Sequence, residues 1–162
     1  MSVMSAGLRF LAALLLFGTA CGSAGASPGW ISLSIGSILA LEAPAGTTFK
    51  PVSGDSFVGM LTGPGFALQL DYGLYSDRLT DQSRFSQYKA EAAKIDGRAA
   101  TVVQGTLKDS KTPGRFIGLH VPNLGHSTLG TLSLTVAGTV LGEKEIPVVK
   151  RIFDTIHFVS KQ

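Results

Sequence analysis

Apolar and polar positions alternate from Phe66 to Tyr72: Phe66, Leu68, Leu70 and Tyr72 share one face, Ala67, Gln69 and Asp71 the other. A period of two marks a strand with one buried side. The run Ser56–Thr62 precedes it across Gly63-Pro64-Gly65, so residues 55–77 read as one antiparallel hairpin around which the rest of the chain is arranged. A second hairpin is predicted where Gln87–Ile95 and Arg98–Leu107 flank Asp96-Gly97. Ala, Glu and Lys in the first of these runs favour a helix on composition. Asp-Gly, however, supplies the two positive-φ corners of a tight turn between strands, and two strands are the reading adopted.

The remaining pattern is less regular. Trp30–Leu41 reads as a first strand broken by Ala43-Pro44-Ala45-Gly46, and Thr47–Gly54 as a short extended piece. Gly73–Ser86 is polar and is predicted as an exposed loop or short helix, and Lys108–Gly114 as a solvated loop. Phe116–Val121 and Leu132–Val140 read as strands joined by a long turn over Pro122–Gly130. Val149, Ile152, Phe153 and Ile156, at i, i+3, i+4 and i+7, predict a terminal helix. It starts near Ile146 or Pro147, with His157 at its exposed end. Strands followed by a helix, without βαβ alternation, indicate an α+β fold. The expected form is a twisted antiparallel sheet of about five to seven strands with a C-terminal amphipathic helix packed on it.

The N-terminus adds a compartment. One cation, Arg9, precedes the apolar run Phe10–Phe17, and small residues follow. That is the layout of a secretory signal, and the run falls short of the roughly 20 residues of a membrane span. Residues 1–26 are therefore expected to be an export signal and residues 27–162 a single α+β domain. Two cut sites fit. Ala24-Gly25-Ala26 suits ordinary signal peptidase, whereas Thr19-Ala20-Cys21 resembles the end of a bacterial lipobox, with Gly18 where leucine is usual. Cys21 is the only cysteine, so it forms no intramolecular disulfide and is the candidate lipidation site. The formal net charge is +3, with Arg9 in the signal and Lys150-Arg151 the only basic pair. Cations scattered singly argue against nucleic acid as a partner.

Three groups of residues could carry chemistry. Asp71, Tyr72 and Tyr75 form a polar-aromatic cluster at the end of a central strand, a candidate ligand site because tyrosine offers a flat face and a hydroxyl. His120 and His126 are candidate metal ligands, although six residues across a loop match no standard zinc spacing. Gly54-Asp55-Ser56 together with Asp154-x-x-His157 resembles the first and last blocks of the GDSL or SGNH esterases. That resemblance implies Ser56 as nucleophile, His157 as its base and Asp154 as the orienting group. The family's G-x-N-D block has no counterpart, the single asparagine being Asn123.

Asp55–Gly59 (DSFVG), Asp71–Ser76 (DYGLYS), Ile95–Ala100 (IDGRAA) and Ile152–Phe158 (IFDTIHF) together resemble a group of small exported bacterial proteins of unknown function. The layout is more loosely similar to the PsbP-like arrangement of a twisted antiparallel sheet flanked by helices. The resemblance implies no catalytic residues. The expectation is thus an exported, non-enzymatic binding or accessory protein of the bacterial cell envelope, periplasmic or anchored as a lipoprotein through Cys21. Its expected partner is an envelope protein or a small ligand, and no cofactor is expected. The alternative is a small GDSL-like serine hydrolase using Ser56 and His157.

Overall fold

The computed structural model describes residues 29–52, 56–108 and 115–159. The expected signal, both cut sites, Cys21, Asp55 and most of the Lys108–Gly114 loop lie outside the described residues. Ten strands and one α-helix follow in chain order, with one short 3-10 turn at Gln82–Arg84. The strands are β1 (Trp30–Ile35), β2 (Leu39–Pro44), β3 (Thr48–Val52), β4 (Phe57–Gly63), β5 (Phe66–Gly73), β6 (Phe85–Ile95), β7 (Arg98–Leu107), β8 (Arg115–Ser127), β9 (Gly130–Val140) and β10 (His157–Phe158). The helix, α1, spans Glu145–Asp154 between β9 and β10. The strands form a three-stranded sheet, β1-β2-β10, and a seven-stranded sheet, β3-β4-β5-β9-β8-β7-β6. Every pairing is antiparallel.

This corrects the fold class. The described residues are mainly β, with two antiparallel sheets and a single ten-residue helix, not an α+β fold with a substantial helical part. Two misread segments account for the difference. Trp30–Leu41 is a hairpin, in which Gly36 at φ +56° turns the chain between β1 and β2. The C-terminal apolar stripe is shorter than its spacing suggested. Val149, Ile152 and Phe153 are buried on α1, but the helix stops at Asp154. The Glu42 N–H donates to Thr155 Oγ1 (2.9 Å), and that hydroxyl donates back to the Ile152 carbonyl (2.8 Å). The chain then extends, with His157 opposite Ala40 and Phe158 opposite Leu39. Pairing with the free edge of β2 satisfies backbone groups that another helical turn would leave bare. His157 is accordingly a strand residue.

The two tight turns follow their sequences closely. In β4–β5, Gly63 pairs with Phe66, Pro64 supplies its fixed φ, and Gly65 takes φ +80°, the requirement of a type II turn. In β6–β7, Asp96 (φ +49°) and Gly97 (φ +75°) form the two corners expected of an Asp-Gly hairpin. Pro122–Gly130 is not a long turn. β8 continues through it, with a register shift between Val121 and Gly125, Asn123 at φ +57°, and Ser127 paired with Gly130. Between Val121 and Gly125 β8 advances four residues while β9 advances two, from Leu134 to Leu132, so β8 carries a bulge of two extra residues after which the ladder resumes.

The main core fills the space between the two sheets and α1. Leu39, Leu41 and Ala43 of β2 meet Leu68 and Leu70 of β5, Ile117 and Leu119 of β8, and Leu134 and Val136 of β9. Val149, Ile152 and Phe153 of α1 join the same cluster. Arg151 stacks its guanidinium 4.0 Å from the Trp30 ring centroid, joining the helix to β1. The other face of the large sheet holds a smaller cluster, Leu79, Phe85, Val103 and Phe116, under the segment that follows β5. Leu79 packs directly over Gly118, where any Cβ would lie 2.6 Å from its Cδ1.

A candidate ligand cavity at the open end of the core

Each strand of the large sheet sends alternate residues to opposite faces, and this alternation divides the candidate residues. Tyr72 packs against the main core, opposite Phe57 on β4. Asp71, one position earlier, points to the other face. There it lines a small cavity of about 220 Å³ with Gln69, Asp77, Arg84 and Thr135. Its Oδ1 is buried without a hydrogen-bond partner among the described residues, and burial pushes its carboxyl above the ordinary value. Asp71 and Tyr72 therefore serve different surfaces.

Tyr72 and Tyr75 line a larger cavity, about 770 Å³. It lies at the end of the fold where the β1–β2 turn, the start of β4, the end of β5, the β8–β9 tip and β10 come together. Phe57 and Tyr72 form one wall; Leu124, His126, Leu129 and Leu132 come from the β8–β9 tip. Ile38 enters from the β1–β2 turn, Phe158 and Val159 from the C-terminal strand, and Arg98 from the start of β7. Leu124, within the bulge and next to Asn123, packs against the main core. Asp96 secures the C-terminal side: its carboxylate accepts the Phe158 N–H (2.9 Å) and faces His157 Nδ1 at 3.2 Å. Those two bonds hold the Asp96 carboxyl below the usual carboxylate range. Tyr75, Leu129 and Val159 on the rim are 89%, 83% and 50% exposed. They are three of the five large hydrophobic side chains left exposed among the described residues, so the exposed apolar surface is concentrated at this cavity.

The esterase-like residues do not converge. Ser56 lines the cavity, its side chain against Gly73. His157 faces away from the cavity that its neighbour Phe158 lines, and its ring partner is Asp96. Asp154 closes α1 and hydrogen-bonds to neither Ser56 nor His157 among the described contacts. The two histidines proposed for a metal also face different spaces. His126 lines the large cavity, with Thr131 Oγ1 3.3 Å from its Nδ1. His120 is buried on the opposite face beside a cavity of about 440 Å³. Thr135 Oγ1 donates to the Asp77 carbonyl (2.6 Å), so His120 Nδ1, 3.1 Å away, carries a proton and donates to that hydroxyl. Burial, then the Arg78 charge, lowers the His120 pKa and favours the neutral ring. Among the described residues no three His, Cys, Asp or Glu side chains gather as a metal set.

Arg98, Leu129 and Phe158 escaped the sequence reading. They come from a strand start, a hairpin tip and a two-residue strand, and share no local motif. No protein-family model matches the chain, and no curated protein is significantly similar to it.

Proposed function

We propose that this is an exported protein of the bacterial cell envelope that acts by binding, and that it takes a small, largely apolar ligand into the cavity at the open end of its core. One observation carries the reading. The exposed large hydrophobics cluster on the rim of a cavity whose roughly 770 Å³ suits a small-molecule site. The export half rests on the N-terminal pattern of Arg9 and Phe10–Phe17. Intact mass separates its two forms. A chain beginning at Cys21 with a diacylglyceryl group belongs to a membrane-tethered lipoprotein, and one beginning at Ser27 to a diffusible protein.

The cavity is tested with N-phenyl-1-naphthylamine, a neutral apolar fluorophore that brightens when it leaves water. It should bind the wild-type protein, and Tyr75→Ser with Leu129→Ser should weaken it by about tenfold, since burying one large apolar side chain is worth about 1.5–3 kcal/mol. Equal binding by the double variant, or no binding at all, sinks the reading.

A further inference from the structure

The charges on the cavity wall say more than its shape. Arg98 is the one permanently charged side chain among the described lining residues, and no aspartate or glutamate is among them. Arg98 makes no ion pair among the described residues. Its guanidinium is held 5.4 Å from the Phe158 ring centroid. Asp96, two residues away, is occupied by the Phe158 N–H and His157. Arg98 lies near enough to help hold the Asp96 carboxyl down but forms no ion pair with it, so this exposed guanidinium, set against an aromatic ring and beside an apolar wall, complements an anion carried on a hydrocarbon body. A cationic head group beside Arg98 would be repelled by the guanidinium. An uncharged one would cover part of the guanidinium without replacing its charge-assisted bonds.

We infer that the cavity binds a monoanionic amphiphile, a single carboxylate on a flexible hydrocarbon chain. Arg98 takes the carboxylate, and the chain lies along Phe57, Leu124 and Leu132. One permanent cation balances one negative charge, which favours a carboxylate over a doubly charged phosphate. This assignment rests on the cavity being the binding site, and the experiment separates the two claims.

Protein purified in its mature form from an exporting bacterial host is loaded with N-phenyl-1-naphthylamine. The fluorophore is then displaced by dodecanoate, dodecan-1-ol or dodecyltrimethylammonium, each below its micellar concentration. Dodecanoate should displace it at about tenfold lower concentration than the alcohol, and the ammonium should be weakest. Arg98→Gln should bring dodecanoate to the level of the alcohol measured on the same variant; Arg98→Lys should keep most of the preference. Equal displacement by all three amphiphiles overturns the head-group assignment and leaves the cavity reading standing. A carboxylate preference that survives Arg98→Gln also overturns the assignment. Failure of the fluorophore to bind overturns both.

Discussion

The two ends of the main core are built from the same strands and finished differently. At one end Phe66 and Val140 are buried together with Ile146 of the first turn of α1, and the Leu141 N–H donates to the Gly65 carbonyl at 2.9 Å. The Gly65 backbone approaches so closely that a Cβ there would lie 2.6 Å from the Glu145 side chain. At the other end Phe57, Tyr72 and Phe158 are only partly buried and face the cavity. Alternation along the strands supplies apolar side chains to both ends alike. What differs is the cover, because α1 stops at Asp154 and among the described residues a two-residue strand follows it. An apolar surface becomes closed core or open cavity wall according to where its covering element ends.

The comparison breaks most visibly at the covered end. Phe153 is fully buried on α1, so Phe153→Ala should cost about 3–5 kcal/mol, a large share of the stability of a domain this size. A urea titration reads it as a lower midpoint at unchanged slope. A cost below about 1 kcal/mol would show that α1 is not what closes the core.

The open end should respond to acid through Asp96. Its folded-state pKa lies below the ordinary value, so its contribution is complete above about pH 4 and is lost as pH falls through the depressed value. Protonation weakens its hold on Phe158, and the fluorophore should be released over that range. Asp96→Asn carries no such titration, so its profile should be flatter than the wild type. Glu91, held down to about 2 by Lys89 and Lys150, titrates in both proteins and cancels in the comparison. Superimposable profiles would remove Asp96 from the control of this end.

The smallest effect on stability belongs to the rim. Leu129 is 83% exposed, so Leu129→Ser should leave the urea midpoint within about 0.5 kcal/mol of wild type while it weakens the fluorophore. A stability loss as large as the binding loss would make Leu129 a packing residue.

Much of this was legible wherever a local rule decided the outcome. The Phe66–Tyr72 alternation and the Asp96-Gly97 corners both correspond to observed strands and turns, because side-chain period and positive φ are properties of neighbouring residues. Class failed where long-range pairing overrode local pattern. Ile156 has the spacing of a helical stripe and is fully buried, yet lies beyond the helix because β2 had an edge to pair. The bulge at Asn123 disguised a continuing strand as a turn. Of the candidate ligand cluster, Tyr72 and Tyr75 reach the cavity and Asp71 does not, which the alternation already implied. Arg98 joins them only through the closure of the fold.

The order of strands in the large sheet also sets an order of assembly. β3, β4 and β5 are joined by short connections, as are β6 and β7, and β8 and β9. The central ladder is different. β5 meets β9 with Phe66 opposite Val140 and Gly73 opposite Ser133, so the whole β6–β8 meander must be looped out before that seam can close. Loop-closure entropy is spent there ahead of any reward, which makes the β5–β9 seam the expected slow step. Val136→Ala, at its centre, should then slow refolding more than it speeds unfolding, whereas Phe153→Ala should do the reverse. Chevron plots in which both variants act only on the unfolding limb would place the seam after the barrier.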